Sequence, residues 1–255
     1  MKKTEKLQSA WGVLPVLAFL ILWEIVGRFN LFPGQFFFPP FTAVMKEFYH
    51  LTVNGVLGKN FASSLVRVLI GLCSGSLAGI FVGVLMGWRS VINKALNPIV
   101  SLLYPIPALG WLPLLMLWIG INEMLPITII FICSFFPVVY NTATGIRNVD
   151  RRYIQAAETL GASNVRILFK VVMPLALPNI FTGLRLEAGM SWRVLVAAEM
   201  VAIPTGIGAL LMQAESMVRV DIIMVCLIVL SVMCLLFEKA FALAEQRIVR
   251  WNTRA

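Results

Sequence analysis

Apolar residues run through this chain in long blocks, not at the alternating or half-buried spacing of a soluble domain. Six blocks can each cross ~30 Å of hydrocarbon as a helix. They are Trp11–Val26, which needs help from its flanks, then Ser64–Trp88, Leu96–Ile119, Leu125–Gly145, Gly183–Ile203 and Ile222–Leu243. The pattern predicts an all-α membrane protein of about six transmembrane helices, forming one domain over residues 1–255. Two segments break it. Behind Pro39 and Pro40, residues Phe41, Val44, Met45 and Phe48 fall on one face of a helix over about 41–51, predicting an amphipathic helix on the outer membrane surface. The segment Arg151–Leu160 is polar and helical: Arg151, Arg152, Gln155, Glu158 and Thr159 make a wet face, and Ile154, Ala157 and Leu160 a shallow apolar one. At ~1.5 Å per residue it is only ~15 Å long, too short to span a bilayer. Gly161 predicts a left-handed C-terminal cap. Ser163 predicts the cap of a second short helix, ended by Pro174 and Pro178.

Composition agrees with the block pattern. Of 255 residues, 60 % are hydrophobic and 13 % charged, against about half and about a quarter in soluble domains. The formal charge of +9 does not argue for nucleic acid, because the basic residues sit mostly in loops on one side. With the N-terminus inside, Lys2, Lys3, Lys6, Arg89, Lys94, Arg147, Arg151, Arg152, Arg166, Lys170, Arg185, Lys239, Arg247, Arg250 and Arg254 lie at or near the cytoplasm. Arg28, Lys46, Lys59, Arg67 and Arg219 fall outside or near it. That bias places both termini and the 147–182 loop in the cytoplasm. The start, MKKTEK before an apolar run, lacks a small-x-small cleavage site, so a retained first helix is expected. Cys73, Cys133, Cys226 and Cys234 all lie in apolar segments without a CxxC pair, which predicts buried free thiols and no metal site.

Three constellations stand out. Gly71, Gly75, Gly79, Gly83 and Gly87 recur every four residues, a ridge of small residues that admits another helix backbone. A thin wall beside a solute path is the sharper alternative. The run Tyr104–Pro113 holds Pro105, Pro107 and Pro113, which bend or break a helix. Such backbone is tolerated in a membrane only when buried in protein or facing a cavity. Glu187, Arg193 and Glu199 are ionisable groups within one span. Trp192 and Glu199, seven apart, share a helix face. A charge about 15 Å deep, as at Arg193, is costly unless paired or wet. It is either a buried ion pair with Glu24, Glu187 or Glu199, or an anion contact in a translocation path.

The stretch Gln155–Pro174 carries the most specific signal. Ala156, Ala157, Gly161, Val171, Met173 and Pro174 fall in register on a pattern of Glu-Ala-Ala, three residues, Gly, nine residues, then hydrophobic-x-hydrophobic-Pro. This resembles the cytoplasmic signature loop of ABC importer permeases. Gln155 departs from it where the family usually has Glu, which implies a weaker charged contact. Tyr104–Pro113 with Trp118 and Gly120, Ser64–Val68, Phe136–Pro137 with Asn141–Thr142, and Val196–Glu199 resemble the nitrate/sulfonate/taurine subgroup. The resemblance implies a type I permease fold with the coupling loop between the fourth and fifth spans. It implies two permease copies, two ATPase subunits docked through Arg151, Arg152, Gln155, Ala156, Ala157, Gly161 and Pro174, and an external binding protein. Candidate pathway residues are Pro107, Trp111, Trp192, Arg193 and Glu199. The implied cargo is a small, usually anionic solute such as nitrate, a sulfonate or taurine; pyrimidine precursors and bicarbonate occur in related systems. ATP and Mg²⁺ would sit on the ATPase, since no GxxxxGK[ST] occurs here, and the chain itself is not expected to be an enzyme. The alternatives are a secondary transporter, which the span acids Glu187 and Glu199 leave open but which often shows inverted repeats, and a membrane-embedded enzyme, for which no nucleophile–base set is seen.

Overall fold

A computed structural model describes the backbone of residues 2–29 and 38–249, and side chains from residue 14 onward. The expected cytoplasmic cations Arg250 and Arg254, and the side chains of Lys2, Lys3 and Lys6, lie outside the described residues. The described chain is helical: α1 (Lys2–Arg28), α2 (Phe41–Val53), α3 (Val56–Trp88), α4 (Ser90–Leu103), a 3₁₀ turn (Ala108–Trp111), α5 (Leu112–Ile119), α6 (Met124–Arg147), α7 (Arg151–Thr159), α8 (Asn164–Ile167), a π turn (Leu168–Val172), α9 (Met173–Ala202), α10 (Ile207–Ser216) and α11 (Val220–Ile248).

Among the described residues, four unbroken stretches are long and apolar enough to cross a membrane: α3, α6, Asn164–Ala202 and α11. With α1 and the α4–α5 pair they account for the six expected segments, with two corrections. The third segment is not one straight span. Its helices meet at 87°, because Pro105 and Pro107 remove donors where α4 would have continued and Pro107 instead begins the 3₁₀ turn. Nor do Pro174 and Pro178 end a short helix. Pro174 follows directly on the π turn, inside one continuous helical stretch from Asn164 to Ala202, and the widened turn before it accommodates the missing donor. The π turn takes up the register change, and Pro178 is carried inside α9. The fifth span therefore starts near residue 164.

The glycine ridge of α3 lies directly on α6. A Cβ on Gly71 would meet Ile130, on Gly79 the Phe135 carbonyl oxygen, on Gly83 Thr142, and on Gly87 Ile146. Gly75 is the tightest, facing Ser134 Oγ and, at 2.6 Å, the Phe131 carbonyl oxygen. With no Cβ in the way, the two backbones approach as small-residue packing in membranes requires. The core among α3, α6, α9 and α11 is built on Val68, Leu72, Ile130, Trp192 and Leu195. Trp192 is stacked on Phe61 and edge-on to Phe237.

α2 buries Val44 and Leu51 against α10 and α11. Its N-terminus is capped from α1: the Glu24 carboxylate accepts from Thr42 N and Thr42 Oγ1, both at 3.0 Å. Glu24 is thus engaged with a helix end and not with Arg193. Of the four thiols, Cys226 is buried, Cys133 and Cys234 are half-buried, and Cys73 is exposed on the protomer, against the expectation that all four are buried.

Candidate functional site

The loop between α6 and α9 is built to hold α7 rigidly outward. Asp150 caps its start, the carboxylate accepting from Arg152 N at 2.9 Å. Its end closes with paired bonds, Ala162 N to Ala157 O at 3.0 Å and Gly161 N to Glu158 O at 2.9 Å. These are the 6→1 and 5→2 bonds of a Schellman cap. Gly161 supplies the left-handed residue that cap needs, at φ +75°.

Only Ile154 and Ala157 turn inward, onto a cluster of Ile146, Ile167, Val172, Ala176 and Ile180. Leu160, expected on the inner face, is 87 % exposed instead, because it is the helix's C-cap and already leaves the helical stripe. Arg151, Arg152, Gln155 and Ala156 are exposed beside Tyr153. Pro174 lies behind this surface in α9. The loop thus presents a short helix, fixed at both ends, with basic, amide and apolar side chains exposed.

A second constellation lies where α3, the start of α6, the end of α9 and the start of α10 converge. Arg67 is 2 % exposed and Glu199 0 %. Arg67 Nη1 is 2.6 Å from Glu199 Oε1. All five guanidinium N–H groups are used: Nε and Nη2 donate to the two Glu123 oxygens, Nη1 to Glu199 and the Thr205 carbonyl, and Nη2 to Thr205 Oγ1. Glu199 also accepts from Ser64 Oγ and Gly208 N, and Ser64 Oγ accepts from Ile207 N. A Cβ at Gly206, φ +114°, would run into the Glu199 carboxylate. The hydrogen bonds from Arg67 hold the Glu123 carboxyl below the usual carboxylate range. Its share of stability is therefore complete above the ordinary value and fades as pH falls through the lowered one.

This network corrects the expected pairing of Arg193. Arg193 is exposed and ion-paired with no described carboxylate; it lies beside Cys234. Glu199 is taken by Arg67, and Glu187 hydrogen-bonds the Cys133 thiol. Both Ser64–Val68 and Val196–Glu199 stand out in the sequence, which was the available signal for the Arg67–Glu199 pair. Trp192 and Glu199 do share a face of α9, but it is packed inside the protomer. Pro107 begins the 3₁₀ turn and Trp111 ends it, packed beside Leu112 and Leu115. The structure therefore separates the candidates: α7 forms one surface, Arg67 with Glu199 one interior lock, and Pro107 with Trp111 the bent segment.

Residues 75–250 match the family described as binding-protein-dependent transport system inner membrane component. A putative ABC transporter permease protein of Methanocaldococcus jannaschii is 37 % identical over 94 % of this chain and 90 % of its own length. The taurine transport system permease protein of Escherichia coli is 34 % identical over 94 % of this chain and 88 % of its own. The nitrate import permease protein of Synechocystis is 32 % identical over 92 % and 87 %. Among solved structures, an amino acid ABC transporter aligns with TM-score 0.61 at 21 % identity, over 80 % of this chain and 96 % of that one. At that identity the likeness shows the fold, that of a type I importer permease.

Proposed function

This chain belongs to the binding-protein-dependent transport system inner membrane component family, the permeases of ABC importers, and we propose that two copies of it form the path of a small, acidic solute. The relatives named for taurine and nitrate support that solute class. ATP binding and hydrolysis, with Mg²⁺, fall to separate ATPase subunits that take α7 in a surface groove, and an external binding protein delivers the solute. The bias of Lys and Arg supports a cytoplasmic position for α7 and both termini. Closure of the ATPases on ATP moves the two α7 helices and selects the outward-open state; hydrolysis and release return the inward-open one. The carrying observation is the doubly capped, outward-facing α7, whose position in the chain matches the signature spacing.

Gly161 provides the test. A Cβ there meets nothing within 4 Å, so within this chain a substitution acts through the backbone. Leucine in the left-handed region costs roughly 1–2 kcal/mol, whereas asparagine tolerates it. Gly161→Leu is expected to insert and assemble normally while solute uptake and solute-stimulated ATPase activity fall severalfold, and Gly161→Asn to retain both. Wild-type uptake by the Leu variant would remove α7 from the coupling role.

A further inference from the structure

A cavity of about 220 Å³ opens beside the bend between α4 and α5, walled by Tyr104, Ile106, Cys133, Phe136, Glu187 and Met190 among others. Glu187 is 7 % exposed, and its one hydrogen bond is from Cys133 Sγ, 3.4 Å from Oε2. It forms no ion pair with any described residue, and no Lys, Arg or His lines the space. The contrast with Glu199, which sits in a finished lattice of donors, is direct. A carboxylate inside a span with one weak thiol donor is costly, and such groups mark solute or ion paths. The space is smaller than the ~300–1,000 Å³ of drug-sized sites, so it suits a solute of few heavy atoms. Tyr104 is stacked on Tyr140 with ring centroids 5.5 Å apart, and Phe136 adds a second ring, surfaces that accept a cation.

Resting on the importer reading, we propose that this cavity is a passage subsite for the protonated nitrogen of a small amine-bearing solute, with Glu187 as its counter-charge. Among small acids it favours a zwitterion such as an aminoalkanesulfonate over an amine-free anion, which finds no cationic partner in the lining.

Cys133 reports on the site directly. In the full-length chain, in membranes, Cys73→Ser, Cys226→Ala and Cys234→Ser leave Cys133 as the remaining thiol. Its labelling is timed with two methanethiosulfonates of like size, one aminoethyl and one sulfonatoethyl. Glu187→Gln is expected to lower the aminoethyl-to-sulfonatoethyl rate ratio about tenfold or more, as loss of a nearby charge in a poorly screened space dictates; the ratio cancels any change in thiol reactivity. Taurine should slow labelling of the parent and not of Glu187→Gln, while ethanesulfonate slows neither. An unchanged ratio, or no labelling of Cys133 by either reagent, overturns the subsite. In the importer with its native cysteines, E187Q should cut taurine uptake about tenfold relative to ethanesulfonate; equal effects on the two overturn it as well. Charge-selective labelling together with uptake that needs no ATPase would keep the subsite and sink the importer reading.

Discussion

Replacing Arg67 with alanine should produce a chain that inserts but does not survive purification as a monodisperse particle. Glu199 is fully buried, and without Arg67 it keeps only the Ser64 and Gly208 donors. Removing one partner of a buried ion pair leaves an uncompensated charge and costs about 3–5 kcal/mol. The loss is larger than one bond because Arg67 also holds Thr205, and through it the turn that starts α10. For a chain of this size, the thermal midpoint in detergent should fall by roughly 6–20 °C, read by size-exclusion of heated samples. Pairing Arg67→Met with Glu199→Gln removes both charges and should recover much of that loss, since neutral replacement of a buried pair is often tolerated. Glu123→Gln should matter far less, because that side chain is 66 % exposed and water screens it. Arg193→Gln, at an exposed residue without an ion pair, is the matched control and should leave the midpoint near that of the parent. An Arg67→Ala midpoint within two or three degrees of the parent would mean that the pair does not hold these helices together.

The contrast between Arg67 and Arg193 shows where the sequence stops being readable. The existence of the helices, the cap at Gly161 and the signature spacing are local patterns, and the described chain follows them, while the bend in the third span and the start of the fifth do not. The partner of Glu199 lies 132 residues away, and no local period encodes that distance. Arg193 is nearer in sequence and deeper in its span, so depth alone pointed to the wrong arginine. Arg67, counted as a charge near the outer side, is drawn inward because Glu123, Glu199 and Thr205 between them satisfy every donor it has. Pro174 misled for a related reason. A proline reads as a stop, yet a π turn placed just before it lets the helix run on through it. Leu160 has the apolar type of an inward residue, but the cap turns it out. Glu187 could be recognised as an acid within a span; that it lines a space without a counter-charge is a property of three elements meeting.

The α3 glycines allow the sharpest test of packing, because α3 carries its own internal control. Gly75→Leu should destroy the bundle. A Cβ at that position lies 2.6 Å from the Phe131 carbonyl oxygen and is also obstructed by Ser134 Oγ. Backbone cannot turn aside as a side-chain tip can, so α3 and α6 must separate. Gly75→Ala already forces a shift, and overpacking of this kind costs about 1–3 kcal/mol; leucine adds three more carbons to the same gap. Gly58, in the same helix, has nothing within 4 Å of its Cβ position. There alanine should be neutral or stabilising by up to about 1 kcal/mol, because it lowers the entropy lost on forming a helix. Both changes raise helix propensity equally, so the difference between Gly75→Ala and Gly58→Ala isolates the α3–α6 contact from the helix itself. Ser134→Ala in the Gly75→Ala background removes the hydroxyl but not the carbonyl, and should return only part of the loss. The readout is the yield of monodisperse protein and its thermal midpoint. Equal behaviour of Gly75→Ala and Gly58→Ala would show that the two helices do not touch along this ridge.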